Sequence, residues 1–153
     1  MPPPRNIELF NRVVAVTLVK LHDAFPNPID LCGTDIGATA AEAFTDDANE
    51  QFQLIMETAD NTIGFLVHEG FIRYESNSRC RDGPQFPESC LTLKGFTLLG
   101  QTPGAVDESI ERRPFIDQLH DVVEEGAKDS ATDIVQSLFA GAIRMGMSAI
   151  VMG

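Results

Sequence analysis

Histidine and cysteine are the residues of this sequence most able to bind a metal ion or to act as nucleophiles. The three histidines, His22, His68 and His120, fall in three separate predicted helices, and none has a second ligand at a metal-binding spacing. Each is followed by a carboxylate, but adjacent residues of a helix point in different directions, so these neighbours do not predict a catalytic dyad. We expect histidines that lie on the surface or at helix ends.

The cysteines predict no zinc site and no disulfide framework. Cys32, Cys80 and Cys90 are scattered, and no Cys-x-x-Cys pair occurs. We expect free thiols in a reducing cytoplasm, with an intramolecular Cys80–Cys90 bridge as the alternative. The sequence also has no glycine-rich phosphate loop, no nucleophile elbow and no His-Glu-x-x-His motif. It therefore predicts a protein that is not an enzyme and has no metal or cofactor.

Acidic residues dominate the charge. Among 153 residues, 23 Asp and Glu oppose 11 Lys and Arg, which gives a formal net charge of −12. Such a surface repels nucleic acid and anionic membranes at long range. Residues 134–152 are the segment most like a membrane span, but Arg144 would lie near its middle, so we expect a buried helix and no membrane contact. The proline-rich start does not predict a signal peptide.

The hydrophobic pattern predicts a mostly α protein with a small β-hairpin or three-stranded sheet, in a single domain of residues 1–153. The spacing of apolar, capping and turn residues predicts helices over 5–25, 36–44, 46–69, 93–99, 114–125 and 130–151, and strands over 29–31, 71–74 and 90–92. The third helix has an apolar stripe, formed by Phe52, Ile55, Ala59, Ile63 and Leu66. The segment Asp60-Asn61-Thr62 could break and recap this helix, so residues 46–69 form either one helix or two.

Two segments carry a resemblance to a known superfamily. Residues 62–72, TIGFLVHEGFI, lead from an apolar helix face through Glu-Gly into a strand, and residues 91–99, LTLKGFTLL, lead from a strand into a helix. Together with the order of the elements, they resemble the winged helix-turn-helix superfamily over about residues 7–99. This implies a winged-helix-like core over 5–99 and a helical extension of two helices over 105–153. The resemblance also implies a third helix in the DNA major groove, with the wing on the backbone.

The predicted third helix departs from that role. Residues 46–69 contain no Lys or Arg but six carboxylates, and phosphate neutralisation by cations supplies most of the affinity of non-specific DNA binding. The cations that could contact phosphates or an acidic partner lie on the predicted wing, at Arg73, Arg79, Arg81 and Lys94. The alternative is a solvated loop of mixed charge, because Glu75, Asp82 and Glu88 partly offset them.

The last helix has more apolar surface than one face requires, and small residues such as Ser137 and Gly141 lie one turn apart. We expect it to pair two copies of the chain in a homodimer, through Leu138, Phe139, Ala142 and Met145. The alternative is packing against residues 5–25 of the same chain. The function expected is regulation or assembly through an unidentified protein partner. The alternatives are a transcriptional regulator that contacts DNA mainly through the wing and a mimic of nucleic acid.

Overall fold

The structure is a computed structural model that describes residues 5–41, 52–75, 86–102, 113–125 and 128–152. Its elements in chain order are α1 (Arg5–Ala24), β1 (Ile29–Leu31), α2 (Gly33–Ala41), α3 (Phe52–His68), β2 (Ile72–Arg73), β3 (Phe86–Leu91), α4 (Leu93–Leu99), α5 (Phe115–Glu125) and α6 (Lys128–Met152). The predicted fold class is confirmed, because the described chain is mostly helical and carries one small sheet.

Helix α1 lies at the centre of the described structure. Every residue from 11 to 19 is buried, as the apolar residues on more than one side of this helix predict. The helix contacts α2 and α3 in the N-terminal half of the chain, and α5 and α6 in the C-terminal half. The apolar surface on more than one side of α1 is therefore covered by helices of the same chain. This agrees with the alternative in which the last helix packs against residues 5–25.

The sheet is antiparallel, with the strand order β1-β3-β2. Strand β3 begins at Phe86, earlier than the predicted residue 90, although Pro87 cannot donate a hydrogen bond to a neighbouring strand. An irregular register with β1 accommodates this segment, in which Glu88 has a φ of 48° and its N–H bonds to the Asp30 carboxylate at 2.9 Å. The predicted start of this strand at residue 90 was wrong because pairing of residues 86–89 with β1 outweighs the local turn signals.

Helix α3 is a single helix. The Thr62 hydroxyl donates to the Thr58 carbonyl at 2.6 Å, so Thr62 does not act as the cap of a new helix. Helix α2 begins at Gly33, three residues before the predicted start, and its predicted end at residue 44 lies outside the described residues. The predicted start of α3 at residue 46 lies outside the described residues, as do Asp46, Asp47 and Glu50.

The end of α3 is tied to the start of α4 through Thr92. Its hydroxyl donates to the Gly70 carbonyl at 2.5 Å and accepts the Gly95 N–H at 3.0 Å, which caps α4. Gly70 has a φ of 85°, the left-handed conformation expected of a glycine that ends a helix. These contacts hold the C-terminal end of α3 against the N-terminal end of α4.

Candidate interaction surface on the third helix

One face of α3 packs in the core and the opposite face is exposed. Its buried residues are Ile55, Ala59, Thr62, Ile63 and Leu66. All of them except Thr62 belong to the predicted apolar stripe. Gly37 of α2 permits the close approach of the two helices, because a Cβ there would lie 3.2 Å from the Ala59 Cβ. Phe52 was predicted to join this stripe, but it is 53% exposed at the first turn of the helix.

Five of the exposed residues of α3 form a second stripe, which we call the outer face. They recur at steps of three and four residues, and are Leu54, Glu57, Asn61, Phe65 and His68. Spacing alone did not single out this stripe, since an exposed side requires no apolar repeat. Once the core side is known, the helical period assigns these five residues to the opposite side.

The electrostatics of the outer face are acidic. No residue of α3 is a Lys or an Arg, while Glu57 is exposed and Asp60 is half-buried beside it. Glu57 accepts a hydrogen bond from the Gln53 side chain at 3.4 Å, one turn earlier. A phosphate backbone that approached this face would meet carboxylates and no cation from the helix itself.

Two large apolar side chains also lie on the outer face. Leu54 is 50% exposed and Phe65 is 42% exposed. The Phe65 ring makes edge contacts with the rings of Phe10 in α1 and Phe139 in α6, at centroid distances of 5.5 and 6.1 Å. Aromatic contacts of this geometry hold a ring in position. Phe65 therefore offers a fixed, half-exposed apolar surface.

The predicted basic patch on the wing is only partly described. Arg73 is exposed on β2, where it pairs with Cys90 of β3. Arg79 and Arg81 lie outside the described residues. Lys94 lies on α4, and its Nζ donates to the Glu69 carbonyl at 3.1 Å and lies 5.0 Å from the centroid of the Phe71 ring. Lys94 thus binds the C-terminal end of α3 within the chain.

Replacing Lys94 with alanine is expected to lower the free energy of unfolding by about 1 kcal/mol, because the charge-assisted hydrogen bond and the contact with Phe71 are lost together. Urea denaturation followed by circular dichroism measures the change. Arg73→Ala is the matched control, since loss of an exposed side chain should alter stability by less than about 0.5 kcal/mol. Equal stability of the Lys94→Ala variant and the wild type would show that Lys94 has no role at the helix end.

A shallow cavity of about 180 Å³ lies beside the exposed side of β2. Its lining residues are Pro26, Pro28, Arg73, Tyr74, Glu75, Glu88 and Cys90. Two carboxylates accompany the single guanidinium, so the described part of the wing is not a basic surface. This arrangement agrees with the alternative of a solvated segment of mixed charge.

Two of the histidines contact side chains of other helices. The His22 ring stacks on Phe96 at a centroid distance of 6.0 Å, and His120 Nε2 lies 2.9 Å from the Asp23 carboxylate. Among the residues that the structure describes, no three His, Cys, Asp or Glu side chains lie close enough together to hold a metal ion. Cys32 and Cys90 are free thiols, and Cys80, the other half of the alternative bridge, lies outside the described residues.

The residues predicted to join two copies of the chain pack inside this one. Leu138 and Ala142 are buried, and Phe139 and Met145 are partly buried against the same core. A Cβ at Gly141 would lie 3.3 Å from Leu98 Cδ1, so this small residue allows the close approach of α4 in the same chain. Contact between copies through Leu138 and Ala142 would require exchange of α6. Among residues 131–145 of α6, Ile143 is the large apolar residue that faces solvent, with 61% of its surface exposed.

None of the helices in the described ranges combines the length and the apolar character needed to cross a bilayer. Comparison of the chain with protein-family models, with curated proteins and with solved structures found no match. The function is therefore inferred from the geometry and charge of the surface itself.

Proposed function

We propose that this chain is a winged-helix protein that acts through protein contacts, with the outer face of α3 as its main contact surface. The element order α1-β1-α2-α3-β2-β3 and the sheet order β1-β3-β2 support the winged-helix assignment. They also support a core over residues 5–99 that is followed by a helical extension. The role is regulation or assembly of a larger complex. The free thiols Cys32 and Cys90 are in keeping with a cytoplasmic location.

The observation that carries the proposal is the composition of the outer face. In winged-helix DNA readers the corresponding helix lies in the major groove, where cationic side chains neutralise phosphates. Here the same helix exposes Leu54, Phe65 and Glu57 and contains no Lys or Arg. Half-exposed apolar side chains on a rigid helix suit a protein partner, because a protein surface can bury them and their burial stabilises the complex. A phosphate backbone is charged and hydrated, so contact with it would not stabilise these side chains.

A transcriptional regulator that contacts DNA through the wing is the competing proposal. Its support is the exposed Arg73 on β2, in the strand that leads into residues 76–85. Such a protein would hold the acidic α3 away from the duplex and would depend on the arginines of the wing for its affinity.

Self-association is part of the proposal as well. Ile143 lies one turn after Phe139 and is exposed, so α6 retains apolar surface on its solvent side after it has packed on the core. A homodimer that uses this side leaves Leu138 and Ala142 in their intramolecular positions. It therefore needs no exchange of helices between the subunits.

Fluorescence anisotropy of a labelled random-sequence duplex, titrated with the protein at low salt, separates the two proposals. We expect no binding up to high micromolar protein, since the non-specific dissociation constants of DNA regulators are about 10⁻⁴–10⁻⁶ M even at physiological salt. Salt-sensitive binding that weakens in an Arg73→Gln variant would overturn the protein-contact proposal in favour of the wing. The absence of duplex binding by both the wild type and the Arg73→Gln variant would support the protein-contact proposal.

A further inference from the structure

We propose that the partner of the outer face is a basic amphipathic helix of another protein, which lies along α3. This inference rests on the proposed function, because it names the chemistry of the partner that the outer face binds. It goes beyond that function in fixing the secondary structure, the charge and the apolar spacing of the partner segment.

The spacing of the two apolar side chains indicates a helix. Leu54 and Phe65 are eleven residues apart on one helix, which places them three turns and about 16 Å from each other on the same side. A helix that packs at a small crossing angle repeats this spacing with its own residues at i and i+11, and its axis lies about 8–10 Å away. Recognition of an amphipathic helix through a row of such positions is a recurrent mode of peptide binding.

Charge complementarity indicates that the helix is basic. The exposed carboxylate of Glu57 lies beside the line that joins Leu54 and Phe65, and α3 contains no Lys or Arg to offset it. Lysines or arginines that flank the apolar positions of the partner would face this carboxylate. The formal net charge of −12 adds long-range attraction for such a segment and raises its association rate.

The same charges argue against a second copy of the chain on this face. Two copies joined through their outer faces would bring Glu57 of one copy near Glu57 of the other. Like charges across an interface are unfavourable, and each copy carries a net charge of −12. The partner that the face complements is therefore a different and basic chain.

A displayed library of 18-residue helical peptides tests the inference without prior choice of the partner. Apolar and charged positions are randomised, and peptides are selected on immobilised full-length protein at physiological salt. Selection is repeated on the variants Leu54→Ser and Glu57→Lys, and on Leu93→Ser as the matched control. Leu93 is 81% exposed on α4, outside the outer face. Circular dichroism confirms that each variant is folded.

We expect the wild type to enrich peptides with apolar residues eleven apart and Lys or Arg beside them. Leu54→Ser and Glu57→Lys should each weaken binding of the enriched peptides about tenfold, as removal of a central contact does, while Leu93→Ser leaves it unchanged. Enrichment of acidic or neutral peptides, no enrichment, or equal binding by all three variants would overturn the inference. The proposed function would fail separately, through binding of the protein to the random duplex.

Discussion

Replacing Gly95 with alanine is expected to lower the free energy of unfolding by about 3 kcal/mol or more, the upper part of the range for overpacked sites. Alanine usually stabilises a helix relative to glycine, so local propensity predicts the opposite sign. The reason is the contact between α4 and the start of β2, where a Cβ on Gly95 would lie 2.4 Å from the Phe71 carbonyl oxygen. This oxygen belongs to the backbone and accepts the Thr92 N–H at 3.0 Å, so it cannot move away without loss of that bond.

The matched control for this substitution is Gly64→Ala in α3. An added Cβ there meets nothing within 4 Å, and Gly64 does not have a positive φ. We expect this variant to be more stable than the wild type by about 0.4–1 kcal/mol, because alanine reduces the entropy of the unfolded chain. Urea denaturation of both variants measures the two changes. Equal effects of the two substitutions would contradict the close approach of α4 to Phe71.

Truncation of Leu138 to alanine is expected to lower the free energy of unfolding by about 2–5 kcal/mol. Leu138 is fully buried in the cluster that joins α6 to the rest of the chain. Because these contacts are intramolecular, the loss of stability caused by Leu138→Ala should be the same at low and high protein concentration, whereas the effect of a side chain that is buried only in a dimer would vanish on dilution.

Ile143→Ala on the same helix is the control for Leu138. This side chain is 61% exposed, so its truncation should change the stability of the monomer by less than about 0.5 kcal/mol. If Leu138→Ala had a small effect, or one that vanished on dilution, α6 would pair two chains as the sequence first suggested. Sedimentation equilibrium of both variants reports the oligomeric state alongside the stability.

Much of the fold could be predicted from local signals. The apolar repeat at Ile55, Ala59, Ile63 and Leu66 predicted the buried side of α3, and Gly70 predicted where the helix gives way to a strand. The early start of β3 could not be predicted, because it depends on pairing with β1 more than fifty residues away in sequence. Turn-forming residues such as Pro87 favour a loop over a strand in this segment, so the local sequence does not indicate the pairing.

Only the charge of the candidate surface could be predicted from the sequence, and its apolar side chains could not. The absence of cations from α3 follows from composition alone and was enough to question a DNA-reading role. The half-exposure of Phe65 depends on where α1 and α6 place Phe10 and Phe139, which no local pattern specifies. Likewise, the sequence placed Lys94 on the wing. Its bond to the Glu69 carbonyl could not be predicted, because it joins residues that are 25 positions apart in the chain.

Site-specific photo-crosslinking tests most directly whether the outer face of α3 contacts protein. A photoreactive amino acid replaces Asn61 at the centre of the outer face, or replaces Lys20, an exposed residue of α1, as the control. In the native host cells, position 61 should give adducts that protease destroys and nuclease leaves intact, and position 20 should give far fewer. Adducts at position 61 that nuclease destroys, or equal protein adducts at both positions, would contradict the protein-contact role of α3.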